Sequence, residues 1–64
     1  MTYEEIYEAV DNAYETSINT WKRAGKTDRE AVARGKAVVF GMVKAFKLAG
    51  MLTEEQAIDI YDEY

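Results

Sequence analysis

The chain has 64 residues, a net charge of −4 and a pI of about 4.6, and it contains no cysteine, histidine or proline. A chain of this length forms one domain with a thin core, because folding buries only about 60% of the surface that the unfolded chain exposes. The missing residue types exclude disulfides, most metal sites, and histidine or thiol catalysis. A hydrophobic content of 48% favours a folded protein over a disordered one. Stability must therefore come from helix formation or self-association.

Charge is unevenly distributed along the sequence. Residues 1–21 carry five acids and no base, residues 22–47 carry all eight bases with two acids, and residues 48–64 carry five acids. We expect the basic middle segment to attract the two acidic segments within the fold. The net negative charge disfavours binding to nucleic acid or to an anionic membrane.

The sequence also lacks the features of a membrane or secreted protein. Its first residues are acidic, whereas a signal peptide begins with basic residues and an apolar run. The longest uncharged run in the most apolar segment, residues 37–43, has seven residues, far fewer than the ~20 that span a bilayer as a helix. We therefore expect a cytoplasmic protein that does not enter a membrane.

The first predicted helix covers residues 3–24. Thr2 and Glu5 have the spacing of a capping box, in which each side chain bonds to the other residue's backbone N–H. Apolar side chains then recur at steps of three and four residues, which places them on one stripe at 100° per residue. This pattern predicts a long amphipathic helix.

Two Ala-Gly pairs, at residues 24–25 and 49–50, predict helix ends, because glycine adopts the left-handed C′ conformation without a Cβ clash. Each is followed by a threonine cap, at Thr27 with Glu30 and at Thr53 with Gln56. Leu52 can pack on Ala57 as a hydrophobic staple. The sequence therefore predicts an all-α protein: a hairpin of two long helices, 3–24 and 28–49, plus a short helix, 54–63.

The second helix is apolar over roughly two-thirds of its circumference. One neighbouring helix cannot cover so wide a face, so we expect either that the first and third helices cover it together or that a homodimer partner does. Gly35 and Gly41 are expected to serve close packing or a bend in the helix, and packing is favoured. Small residues at four-residue spacing would let another helix approach closely: Ala37, Gly41, Ala45 and Ala49.

No pattern of catalytic or metal-binding residues is present. Ser17 lies on the apolar stripe of the first helix, which favours a packing role. Gly35-Lys36 lacks both the upstream glycine and the following Ser or Thr of a phosphate-binding loop. Asp59, Asp62 and Glu63 do not have EF-hand spacing, and we expect a frayed, solvated turn there. We predict that the protein is not an enzyme and has no cofactor or metal.

Two surface features are candidates for partner binding. An acidic line runs along the first helix at steps of four, three and four residues: Glu4, Glu8, Asp11 and Glu15. It is a solvated face, a face partly neutralised by the basic helix, or a docking ridge for a basic protein. Phe40 lies on the polar side of the second helix among Lys36, Lys44 and Lys47. Either the third helix covers it, or it is an exposed anchor for a partner or a second copy.

These features favour a protein–protein interaction module that binds a basic protein surface and self-associates through the second helix. One alternative is an acidic inhibitor, of the kind that phages and mobile elements encode, which blocks a nucleic-acid enzyme by charge mimicry. A weaker alternative is nucleic-acid binding by the face that carries Arg29 and the three lysines, with Phe40 stacked on a base.

Overall fold

Three α-helices make up the regular structure of the computed structural model, which describes all 64 residues. They are α1 (Tyr3–Arg23), α2 (Asp28–Leu48) and α3 (Glu54–Tyr61). The predicted all-α hairpin with a short third helix is confirmed. Each predicted helix starts where the observed one starts and extends one or two residues beyond its observed end.

Threonine caps begin all three helices. The Glu5 N–H donates to Thr2 Oγ1 at 3.2 Å, and the Thr2 N–H donates to Glu5 Oε1 at 2.9 Å. Thr53 and Gln56 form the same reciprocal pair at the start of α3. Thr27 accepts from the Glu30 N–H at 3.2 Å, but Glu30 returns no bond, so the predicted box of α2 is only half formed.

Both long helices end in a Schellman motif at glycine. Gly25 has φ 92° and Gly50 has φ 76°, which are values that side-chain-bearing residues rarely adopt. The N–H of the residue after each glycine donates to a carbonyl in the last helical turn, from Lys26 to Trp21 at 3.0 Å and from Met51 to Phe46 at 2.9 Å. These turns reverse the chain in a few residues, so α1 and α2 lie antiparallel.

The core lies where all three helices meet. It joins the first half of α1, the second half of α2, and α3 with the loop before it, through seven buried side chains: Ile6, Val10, Val39, Val43, Leu52, Ala57 and Ile60. Leu52 and Ala57 are both buried in this cluster, as the predicted staple requires. Towards the α1–α2 turn only two helices remain, and there Gly35 lies against Tyr14 and Ile18 of α1.

α1 and α3 cover only one side of α2. The predicted small-residue line is exposed at all four positions, Ala37, Gly41, Ala45 and Ala49, and a Cβ built at Gly41 would meet no atom within 4 Å. The expectation that α1 and α3 together cover the wide apolar face of α2 is therefore wrong for the side that carries these four small residues. Close helix approach occurs at Gly35 instead, one turn and a half earlier and on the face towards α1.

The molecule is a rod of 37 × 18 × 17 Å with opposite charge at its two ends. Around the α1–α2 turn, residues 16–36 hold six bases and two acids, a net of +4. The rest of the chain, which forms the three-helix end, holds ten acids and two bases, a net of −8. None of the three helices combines the length and the apolar character needed to cross a lipid bilayer.

Candidate protein-binding surfaces

Four carboxylates form what we call the acidic ridge: Glu4, Glu8, Asp11 and Glu15 of α1. Their spacing corresponds to about 6, 4.5 and 6 Å along the axis at 1.5 Å per residue. The three glutamates are exposed, and Asp11 is half-buried. Glu4 and Glu8, and likewise Asp11 and Glu15, are i,i+4 neighbours of like charge, which destabilises a helix by a few tenths of a kcal/mol per pair.

No base of the chain pairs with the acidic ridge. The two ion pairs in the structure are Lys22–Asp28 at 3.4 Å and Lys47–Glu54 at 3.8 Å, and both lie beside the interhelical turns. The alternative in which the basic helix partly neutralises the ridge is therefore not observed, and its three glutamates are exposed to solvent. The ridge lies at the three-helix end, whereas most bases lie around the α1–α2 turn.

The residues after α3 fold back onto α1, a contact that the sequence analysis missed. The Tyr64 hydroxyl donates to Asp11 Oδ1 at 2.7 Å, and its ring meets the Tyr14 ring edge-on at 4.7 Å. The Tyr7 hydroxyl donates to the Glu63 carboxylate. We call this group of five side chains the tyrosine clamp: Tyr7, Asp11, Tyr14, Glu63 and Tyr64. Asp59, Asp62 and Glu63 are exposed, and residues 62–63 form a turn, as predicted. The bond from Tyr7 nevertheless ties Glu63 to α1, which the prediction of a frayed turn did not include.

The clamp changes the acidity of its phenols. The hydrogen bond to Glu63, with smaller contributions from burial and nearby carboxylates, raises the pKa of Tyr7 to about 12. Burial, followed by the hydrogen bond to Asp11, raises the pKa of Tyr64 above its ordinary value. Because both pKa values are raised, the phenols of Tyr7 and Tyr64 are protonated hydrogen-bond donors at neutral pH. At the opposite edge of the ridge, the hydrogen bond from the Thr2 backbone lowers the pKa of Glu5.

Phe40 is partly covered by α3. Its ring meets the Tyr61 ring edge-on at 5.3 Å, yet 43% of Phe40 stays exposed. The two rings line a shallow hollow of about 300 Å³. The expected cover by α3 is thus partial, because α3 covers one side of the ring and leaves the other open. A role for the open side as an anchor for a partner or a second copy stays a prediction. Ile58 of α3 is also exposed, so this end of the molecule carries several apolar side chains.

The three lysines predicted around Phe40 have three different surroundings and do not form one basic cluster. Lys47 pairs with Glu54, Lys44 is exposed, and Lys36 is half-buried and lines a second hollow of about 400 Å³ with Asp28 and Arg29. Glu54 of α3 lies at the end of this face, where it pairs with Lys47. A polyanion that approached Lys47 would therefore also approach the carboxylate of Glu54.

Another contact at the basic end was not foreseen. The Arg34 guanidinium lies over the Trp21 ring, 4.1 Å from its centroid, which is a cation–π arrangement between α2 and α1. Trp21 lies on the predicted apolar stripe, but nothing in the sequence pattern pairs it with Arg34. The contact joins the two helices where the core is thinnest.

The residues considered for chemistry are not brought together. Ser17 is half-buried on α1, and no group of three or more acidic side chains is close enough to hold a metal ion. The surfaces that remain are the acidic ridge, the Phe40–Tyr61 hollow and the exposed side of α2. Comparison of the chain with protein-family models, with curated proteins and with solved structures finds no match.

Proposed function

We propose that this protein is a non-enzymatic interaction module whose acidic ridge binds a basic surface of another protein in the cytoplasm. The observation that carries the proposal is that four carboxylates follow one line of α1 and none pairs with a base of the chain. The helix tolerates repulsion between these neighbours, which a basic partner would relieve. Such a charge pattern increases the rate and specificity of association more than its strength.

The tyrosine clamp supports the same proposal. It ties the residues after α3 to Tyr7, Asp11 and Tyr14 of α1, and we expect these contacts to hold the ridge in place. Tyr7 and Tyr64 add aromatic rings with polar hydroxyls at its edge, a side-chain type that is enriched in protein interfaces. Rigid placement lowers the entropy lost on binding.

The test is affinity capture from the source organism with a ridge variant, Glu4→Gln/Glu8→Gln/Glu15→Gln. Asp11 stays unchanged in this variant because it holds Tyr64. The matched control, Glu54→Gln/Glu55→Gln/Asp59→Asn, removes the same charge from α3. We expect the wild type and the control to retain a common protein partner that the ridge variant loses.

Salt provides a second measure of the same interaction. Binding carried by exposed charges weakens as ionic strength rises, since the Debye length falls from about 10 Å at 0.1 M to about 3 Å at 1 M. Retention of every partner by the ridge variant, or capture that salt leaves unchanged, would refute the proposal.

Charge mimicry of nucleic acid is a second candidate, favoured by the regular spacing of the ridge. Its partner would be a nucleic-acid enzyme whose basic groove the ridge occupies. The two candidates differ in their effect on the partner: charge mimicry would inhibit the enzyme in competition with its nucleic-acid substrate, whereas binding to an unrelated basic protein would not. Direct nucleic-acid binding is the weakest candidate, because the net charge is −4 and Glu54 already pairs with Lys47. A salt-sensitive shift with random DNA would revive it.

A further inference from the structure

Over residues 37–48, the side of α2 that faces away from α1 and α3 is largely apolar and has no partner, and Arg34 lies on the same side just before this stretch. We call it the outer face, and it comprises five exposed residues: Ala37, Val38, Gly41, Ala45 and Leu48. Leu48 is 78% exposed, the highest value among the large hydrophobic side chains of the chain. At the centre, Gly41 leaves open space above the backbone. Another helix could therefore approach the outer face closely there.

The charges at the two ends of the rod indicate what binds the outer face, namely a second copy of this chain. A second copy placed antiparallel on the outer face sets the +4 end of each rod beside the −8 end of the other. A parallel copy would set like ends together. Packed helix axes lie about 8–10 Å apart. This is close to the Debye length of about 8 Å at physiological ionic strength, so adjacent ends interact while diagonal ends are largely screened.

We propose that two copies of this chain form an antiparallel dimer in which the α2 helices cross at Gly41. A two-fold axis at that residue places Ala37 near the partner's Ala45, so small residues meet on both sides of the crossing. Leu48 then lies near the partner's Arg34, whose aliphatic stem can cover it. This surface is on α2 and the acidic ridge is on α1, so the dimer does not depend on the proposed function.

The first experiment adds bulk at the crossing. Gly41→Leu should leave the monomer folded, because the position has no neighbour and glycine is a poor helix former. It should weaken dimerisation by about 10-fold or more, measured by sedimentation equilibrium. Asn12→Leu is the matched control, since it adds the same side chain at an exposed position of α1 and should leave the dimer unchanged.

The second experiment tests orientation and uses the absence of native cysteine. Ala37→Cys and Ala45→Cys variants are mixed, oxidised and mapped by tryptic digestion. An antiparallel dimer gives the mixed 37–45 disulfide. A parallel dimer gives 37–37 and 45–45 disulfides, which would overturn the proposed geometry.

Two results would overturn the dimer itself. One is a wild-type protein that remains monomeric in sedimentation up to about 1 mM, where even an association of about −4 kcal/mol is half saturated. The other is a Gly41→Leu variant that dimerises as tightly as the wild type while circular dichroism shows both to be equally helical.

Discussion

Gly35 and Gly41 show how differently two glycines of one helix can be used. A Cβ at Gly35 would lie 2.9 Å from Cδ1 of Tyr14 and 3.1 Å from Cγ1 of Ile18. The Tyr14 ring is itself held by the edge contact with Tyr64, so it cannot move away without disturbing the tyrosine clamp. The sequence predicts a packing role for both glycines, and within the chain only Gly35 has one.

The first prediction compares alanine at these two positions. Alanine gains about 1 kcal/mol of helix propensity at either site, but overpacking at Gly35 costs about 1–3 kcal/mol. We expect Gly41→Ala to raise the free energy of unfolding of the monomer by about 1 kcal/mol and Gly35→Ala to lower it or leave it unchanged. Urea denaturation at low protein concentration measures both. Equal gains at both sites would show that Tyr14 moves freely.

The second prediction concerns pH and Tyr7. Its pKa is about 12 in the folded protein and about 10 when unfolded, so the folded state holds the phenolic proton more tightly. This contribution to stability is complete below pH 10 and is lost as pH rises from 10 through 12. The difference between the tyrosinate absorbance titrations of wild type and Tyr7→Phe should therefore centre near pH 12.

Glu63→Ala tests the cause of that shift. Removing the acceptor should move the Tyr7 titration down towards the ordinary value of about 10. A Tyr7 titration that is already ordinary in the wild-type protein would mean that the hydrogen bond to Glu63 does not form in solution.

At the scale of elements, sequence predicts the helices better than their contacts. Caps and stops are local signals, so Thr2, Gly25 and Thr53 mark their boundaries within one or two residues. The wide apolar face of α2 is a local signal too, but which part of it is covered depends on where α3 packs. That position follows from long-range contacts such as Phe40–Tyr61 and Tyr64–Asp11, which no periodicity records.

The third prediction tests how α3 is attached. Ile60 is fully buried in the core cluster, whereas the Phe40–Tyr61 contact is at the surface. Ile60→Ala should lower the free energy of unfolding by about 2–4 kcal/mol, because it leaves a cavity among α1, α2 and α3. Phe40→Ser should cost much less and leave helicity, measured by circular dichroism, almost unchanged. If Phe40→Ser costs as much as Ile60→Ala, the aromatic contact belongs to the core.

For the whole molecule, the positions of the charges in the fold are the property that is predicted least well from the charges of successive sequence segments. Segment charges predict attraction between a basic middle and acidic flanks. Antiparallel packing of α1 and α2 instead places the bases of residues 22–36 at one end of the rod, away from the acidic ridge. The chain therefore keeps a line of carboxylates that no base neutralises on one surface, and we expect their repulsion to cost some stability.

The last prediction measures that cost. Glu8→Gln/Glu15→Gln removes three like-charge contacts along the ridge, Glu4–Glu8, Glu8–Asp11 and Asp11–Glu15, each worth about 0.2–0.5 kcal/mol. We expect the free energy of unfolding in urea at low salt to rise by about 1 kcal/mol. The gain should largely disappear at 1 M salt, where the Debye length is about 3 Å.

Glu54→Gln/Glu55→Gln is the control, because it changes the net charge equally but removes carboxylates that favour the N-terminus of α3. An equal gain in that control would assign the effect to net charge, whereas a gain confined to the ridge would locate the repulsion on the surface that we propose for binding.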